Sequence, residues 1–104
     1  MNRVTIELWL WLGEELGRDF ESPSEMRSIR EEGVKEGTTI RQLLENLAVR
    51  YPTIAKSIFD TKAKRFFPHV VVNYNDRVIS PHNVYDQVLK DGDKILILPV
   101  YMGG

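Results

Sequence analysis

No cysteine occurs in the 104 residues of this chain. That excludes a disulfide scaffold, a thiolate metal site and a cysteine nucleophile on the chain itself. Histidine is scarce too, with only His69 and His82. They stand at opposite ends of a strand-turn region without paired ligand spacing, so satisfied or exposed histidines are expected and no metal site. No stretch approaches the roughly 20 apolar residues of a membrane span. The apolar start "MNRVTIELWLWLG" is interrupted by Glu7, and no small-residue cleavage site follows it. No signal peptide is therefore read, no membrane partner is expected, and the expected location is cytoplasmic. A formal net charge of −1 lacks the basic excess of a nucleic-acid binder. The run "KAKR" at Lys62–Arg65 has too few charges to change this; it reads as a solvated loop that could steer a partner or a phosphate-bearing substrate. A glycine-rich phosphate loop is also missing, so any ATP chemistry must belong to another protein.

What is present fits one globular domain over residues 1–104. The apolar share of 42% and the charged share of 28% are ordinary for such a domain. In "RVTIELWLWL", Val4, Ile6, Leu8, Leu10 and Leu12 alternate with Arg3, Thr5, Glu7, Trp9 and Trp11. A period of two predicts a strand with one aliphatic face. Its other face starts polar and ends in two tryptophans. The stretch from Gly13 to about Ile29 holds glycine, proline, serine and glutamate without a period, and reads as a long connection with a helical turn near Glu14–Leu16. "IREEGVKEG" reads as a short edge strand.

"TTIRQLLENLAVRYP" predicts the main helix. Ile40, Leu43, Leu44, Leu47 and Tyr51 form one apolar stripe. Thr39 with Gln42 three residues on fits a capping box. Pro52 biases Tyr51 away from helical angles and should end the helix. A short helical turn is expected around Ile54–Phe59. "HVVVNY" predicts a strand, "NDR" a turn into a short strand, "NVYDQVL" a helical turn, and "KDGDK" a turn with Gly92 at any positive φ. "KILIL" is apolar on both faces and should be a central strand. The carboxylate pairs Glu14–Glu15, Glu31–Glu32 and Asp91/Asp93 read as solvated loops rather than acid–base machinery.

One helix with a single stripe must be buried against one face of a small mixed sheet. The fold class is therefore α+β, in the β-grasp or ubiquitin-like arrangement, with the first and last strands at the sheet centre. If the aliphatic face of the first strand meets the helix, Trp9 and Trp11 lie on the opposite face. Leu96 and Leu98 of the last strand join them there. Such a patch is expected to be a protein interface. The competing reading is that the Gly13–Ile29 connection, with Leu16, Phe20 and Met26, folds back over the tryptophans.

The closing "LKDGDKILILPVYMGG" resembles the end of the small subunit of molybdopterin synthase (MoaD) and its relatives, including the thiazole-forming carrier ThiS. In these ubiquitin-like sulfur carriers a DGD-type turn leads into an apolar strand, a proline and a terminal Gly-Gly. "GTTIRQLLENLAVRYP" and "VVVNYNDRVI" match the same layout, so the resemblance covers most of the chain in order. Two features depart from it. The Gly13–Ile29 connection is longer than the usual first hairpin loop, and Tyr101-Met102 are bulkier than the small residues often found before the glycines.

The resemblance implies a carrier subunit or cosubstrate, not an enzyme by itself, with no cofactor bound by this chain. It implies Gly104 as the reacting residue and Gly103 as its unbranched lead-in. An E1-like adenylating partner of the MoaB/MoeB/ThiF type, using ATP and Mg, would join the carboxyl to AMP. A sulfur donor would then displace AMP and leave a thiocarboxylate. The acceptor implied is the large subunit of molybdopterin synthase or another sulfur-acceptor enzyme. Residues 100–104 are expected to be a flexible tail, spanning roughly 17 Å when extended. Trp9, Trp11, Leu96, Leu98, Tyr101 and Met102 are the expected partner-binding residues. Three alternatives stand beside molybdopterin synthesis: a carrier for thiamine or sulfur amino-acid synthesis, a ubiquitin-like modifier joined to lysines, and a β-grasp interaction module with an inert tail.

Overall fold

Alternating aliphatic residues do build the first strand, β1 (Asn2–Trp9). Val4, Ile6 and Leu8 are buried on one face. The structure is a computed structural model and describes residues 1–9, 16–24, 26–80 and 82–99. Leu10, Trp11 and Leu12, expected to continue the strand, lie outside the described residues.

A short 3₁₀ turn at Gly17–Asp19 precedes β2 (Arg27–Val34). β2 starts earlier than its apolar content suggests and is as long as β1. It pairs antiparallel with β1 along its whole length, from Asn2 opposite Val34 to Trp9 opposite Arg27. Backbone pairing sets its extent, because an edge strand needs few apolar residues of its own.

Helix α1 (Ile40–Arg50) matches its expected start and stop. The Thr39 hydroxyl accepts from the Gln42 amide at 3.3 Å, and the Thr39 amide donates to Gln42 Oε1 at 3.0 Å. Each bond satisfies a donor that the helix start leaves unpaired. Tyr51 is extended, with φ −125° and ψ 95°. Pro52 then opens α2 (Pro52–Ser57) at a position where its missing N–H costs no bond.

The segment expected to be a basic loop is a small hairpin of β3 (Phe59–Asp60) and β4 (Arg65–Phe66). β5 (Val70–Tyr74) and β6 (Arg77–Val78) follow. Their turn places Asn75 and Asp76 at φ 51° and 70°, the positive pair of a two-residue hairpin loop. "NVYDQVL" begins in the expected helical turn, with Val84 N bonded to Ser80 O at 3.0 Å. It then runs beside the start of α1, with Leu89 N bonded to Thr38 O at 2.8 Å and Ile40 N to Gln87 O at 3.0 Å.

β7 (Lys94–Pro99) completes a five-stranded sheet in the order β2-β1-β7-β5-β6. It runs parallel to β1 and antiparallel to β5. The last strand is therefore central and the first is its neighbour. α1 lays Ile40, Leu43, Leu44 and Leu47 on Val4, Ile6, Leu8, Ile95 and Ile97, all buried. Each such aliphatic side chain contributes about 1.5–3 kcal/mol of burial. Layer order and strand pairing give the β-grasp arrangement.

Candidate functional site

The face of the sheet away from α1 can be read directly from the strand register. One row runs Arg27, Trp9, Leu98, Val71: Trp9 opposes Arg27, Leu98 opposes Val71, and the β1–β7 register extended one step sets Trp9 level with Leu98. The next row runs Ile29, Glu7, Leu96, Asn73, Val78. A third holds Glu31, Thr5 and Lys94. The face thus grades from apolar at the Pro99 end of β7 to polar at the Lys94 end. Trp9, Leu96 and Leu98 are half-buried and Val78 is 72% exposed.

Two of the three residues expected to cover this face, Leu16 and Phe20, do not do so. Leu16 and Phe20 are buried in the core on the helix side, 4% and 3% exposed. The Phe20 ring meets Tyr51 edge-on at 5.2 Å. Asp19 is held by the Tyr51 hydroxyl at 2.9 Å and, through its carbonyl, by Arg30 at 3.0 Å. Glu21 exchanges two backbone bonds of 2.7 and 2.8 Å with Ile29 on the outer edge of β2. From Leu16 to Glu21 the connection is a strap around the β2 edge.

A carboxylate is sunk into the apolar end of the face. Glu7 is only 3% exposed. It accepts from the Trp9 indole N–H and, at 2.7 Å, from Arg27 Nη2. The Arg27 guanidinium also lies over the Trp9 ring at 5.6 Å. Burial pushes the Glu7 pKa up, but the Arg27 and Trp9 hydrogen bonds and the charges of Lys94 and Arg27 outweigh it and hold it below 4.5. These two interactions fix the orientation of Trp9.

The "DGD" turn fixes where β7 enters the sheet. Gly92, at φ +88°, donates to Arg3 O at 2.8 Å; Thr5 N donates to Asp93 O at 2.9 Å. Arg3 N donates to Asp91 Oδ1 at 2.7 Å. Asp93 was expected in a solvated loop, yet it is 7% exposed. Its carboxylate accepts from the Tyr74 hydroxyl, from Asn75 Nδ2 at 3.0 Å and from Lys90 N at 2.7 Å. Burial raises its pKa, and these donors overcome that and bring it below 3.8. Burial and the Asp93 carboxylate push the Tyr74 hydroxyl up to about 12. Asp93 is a structural pin between β7 and the β5–β6 turn.

Of the residues expected to bind partners, the structure brings Trp9, Leu96 and Leu98 onto one face. Trp11, Tyr101, Met102, Gly103 and Gly104 lie outside the described residues. Glu7, Arg27 and Asp93 were missed. A charge on the face of β1 that ends in tryptophan was the signal available for Glu7. His69 contacts Ser57 O at 2.7 Å and stacks on Phe67, and His82 is exposed. No cluster of metal-ligating side chains occurs among the described residues. No helix among them is long and apolar enough to cross a membrane.

The family model of the ThiS family matches residues 20–104. The chain belongs to the ThiS family. No curated protein sequence matches it. Solved structures share the fold at low identity. SAMP1 from Haloferax volcanii superposes with a TM-score of 0.70 at 18% identity, covering 99% of this chain and 100% of that one. A putative molybdopterin converting factor subunit 1 from Pyrococcus furiosus gives 0.66 at 20%, covering 97% and 100%. Urm1 from Trypanosoma brucei gives 0.69 at 19%, covering 99% and 96%. β1 lies before the residues matched by the ThiS family model, yet these superpositions span nearly the whole chain. The chain is thus a ThiS-family protein with the fold of these ubiquitin-like structures.

Proposed function

We propose that this ThiS-family protein is a sulfur carrier whose Gly104 carboxyl is adenylated and then converted to a thiocarboxylate. One observation carries the reading: β7, clamped between β1 and β5, ends at Pro99 level with the apolar Trp9–Leu98–Val71 row. A partner that takes up residues 100–104 therefore meets that row at the same time. Gly103 and Gly104 lack Cβ, so they pass a narrow channel and present an unhindered carbonyl. A carboxylate is a poor electrophile; joining it to AMP supplies the leaving group that a sulfur nucleophile displaces. ATP and Mg belong to the E1-like activating partner. The acceptor favoured is the large subunit of molybdopterin synthase, a choice supported by the resemblance to the converting-factor subunit from Pyrococcus furiosus.

The second reading is a modifier joined to lysines, supported by the likeness to a small archaeal modifier protein. Mass spectrometry of the protein isolated from its host separates the two. A sulfur-for-oxygen shift at Gly104 is expected. Lysine-linked adducts without that shift would establish the modifier instead, and a plain carboxylate with no adducts would overturn both readings.

A further inference from the structure

The outer edge of β2 carries backbone groups that nothing in the sheet uses. Arg3 and Thr5 direct their backbone bonds away from β2: Arg3 N donates to Asp91 Oδ1, Arg3 O accepts from Gly92 N, and Thr5 N donates to Asp93 O. Their opposites across the ladder, Gly33 and Glu31, therefore point N–H and C=O outward, because bonded and non-bonded pairs alternate in an antiparallel ladder. Ile29, on the same side by alternation, spends its outward groups on Glu21. Glu31 and Gly33 have no such backbone partner among the described residues, and both are exposed. At the other end the chain leaves the sheet in a turn, with Thr38 N bonded to Lys35 O at 3.1 Å and Gly37 at φ +84°. The open run is thus residues 30–36, and its middle residue is Gly33.

Charge selects what can pair there. A second copy laid antiparallel along this edge is related by a two-fold axis, so one residue faces itself. With the axis at Gly33, the two Gly33 residues exchange two backbone bonds. Each Glu31 then faces Lys35 of the other copy, and each Arg30 faces Glu36. Glu31 stays 62% exposed beside Arg3 at 3.8 Å, and Lys35 is exposed. Neighbouring registers oppose like charges: an axis at Glu31, Glu32 or Lys35 sets that residue against itself, and an axis at Val34 sets Glu32 against Glu36. Opposite charges across a ladder stabilise it, and like charges destabilise it. The axis at Gly33 also sets Ile29, whose edge Glu21 occupies, against Gly37, where the other copy has already turned off. Met1 is 88% exposed, and its Sδ lies 3.0 Å from where a Gly33 Cβ would stand. The pairing therefore brings the two Met1 side chains together at the axis.

We propose that two copies of this chain pair edge to edge through β2, antiparallel about Gly33, as a weak two-fold dimer with one continuous sheet. A contact this short buries less than the roughly 1,200 Å² of a stable interface, so the association is reversible. Both outer faces lie on the same side of the joined sheet. β7 stands two strands from the seam in the order β2-β1-β7, so the pairing leaves its Pro99 end accessible. The dimer needs only the folded chain and holds or fails independently of sulfur transfer at Gly104.

The test follows the full-length protein by sedimentation and amide NMR shifts up to about 1 mM, where a pairing with a Kd of about 1 mM is half formed. A dimer that grows with concentration is expected, with shifts centred on Met1 and residues 30–36. Lys35→Glu and Glu31→Lys should each weaken it by about tenfold or more, because each sets like charges opposite twice. Mixed together, these two variants should pair with each other more tightly than either pairs with itself, and the variant carrying both changes should recover the original dimer. Gly33→Pro removes the outward N–H at the axis and should abolish pairing with the fold kept, since proline is tolerated at an exposed strand edge. Should that variant fail to fold, the mixed charge variants decide alone. A monomer at every concentration, shifts centred on Trp9, Leu96 and Leu98, or charge variants that show no preference for each other would overturn the proposal.

Discussion

Trp9 donates its indole N–H to Glu7, two residues earlier on the same face of β1. Arg27, from β2, closes the group by pairing with the same carboxylate at 2.7 Å. Glu7→Ala removes the acceptor from both. The cost should be about 2–3 kcal/mol, the range for hydrogen bonds to a charged buried group. The Arg27 side chain is 40% exposed, so solvent screens its share. Glu7→Gln keeps an acceptor for Trp9 and should cost only about 1 kcal/mol. Denaturant unfolding at neutral pH checks both. Equal costs for the two variants would mean that the Trp9 bond contributes nothing.

Stability should fall on both sides of neutrality, for different reasons. Glu7, Glu32 and Asp93 have folded pKa values below their ordinary ones. In each, burial works upward and is outweighed by donors: Arg27 and Trp9 for Glu7, Arg30 and Arg50 for Glu32, Asn75, Tyr74 and Lys90 for Asp93. A depressed pKa gives stability that is present above the unfolded value and lost as pH falls through the folded one. The acid loss therefore begins near pH 4.5 and continues below it. Tyr74 works in the opposite sense. Its folded pKa of about 12 stands above the ordinary 10.0, so its contribution is complete below pH 10 and lost as pH rises toward 12. Tyr74→Phe should lose about 1 kcal/mol at pH 7 and flatten the alkaline decline. Unfolding free energies across pH 2–12 test the pattern; an alkaline slope unchanged in Tyr74→Phe would refute the second half.

Phe20 should behave as a core residue. Its ring is buried against Tyr51, so Phe20→Ala should destabilise by about 3–5 kcal/mol. A loss below about 1 kcal/mol, the level of an ordinary surface change, would show that the strap adds nothing to the core. Thermal or denaturant melts of that variant decide it.

These residues also show where the sequence was readable. α1 was legible because its stripe, its Thr39–Gln42 box and the stop at Pro52 all act within the helix itself. β7 was legible because the strand between β1 and β5 is apolar at every position from Ile95 to Leu98, with Ile95 and Ile97 buried and Leu96 and Leu98 half-buried. β2 was not, because Arg27 and Ser28 owe their strand geometry to Trp9 and Leu8 across the ladder. The Phe59–Phe66 hairpin has two residues in each strand and is held by an edge-on ring contact at 5.5 Å, which leaves no period to detect. Leu16 and Phe20 were recognisable as apolar residues in a polar connection, but nothing local tells which sheet face a connection packs on. The face of Trp9, Leu96 and Leu98 followed from alternation alone. The carboxylate beneath Trp9 did not, since its burial depends on Arg27 arriving from another strand.

The outer face should be separable from the core by one substitution. Leu98 is half-buried, opposite Val71 and level with Trp9, and takes no part in the hydrogen bonds of the Glu7 group. Leu98→Asp should leave a folded monomer while weakening the activating partner by about 100-fold or more, because a lone charge would be desolvated at a packed apolar contact. Binding to the host's E1-like enzyme and the unfolding midpoint are measured on the same sample. Unchanged binding would remove this face from the partner surface.

In the proposed carrier function the chemistry rests on Gly104. An E1-like enzyme must bring the carboxyl onto the α-phosphate of ATP, so the reacting atoms have to lie within about 3–3.5 Å of each other in the right orientation. One residue fewer withdraws the carboxyl by about 3.3–3.6 Å, the full length of that approach. One residue more pushes it past the phosphate by as much. Deleting Gly104 and appending an alanine after it should therefore each abolish pyrophosphate release with the cognate enzyme. Neither should move the unfolding midpoint, because the change lies five residues beyond β7 (Lys94–Pro99) and touches none of the described core. Gly103→Val tests the approach separately. It keeps the reach but adds a branched side chain to the lead-in, so it should slow adenylation without eliminating it. A Gly104 deletion that still accumulates thiocarboxylate would end the carrier assignment, whatever the other two variants do.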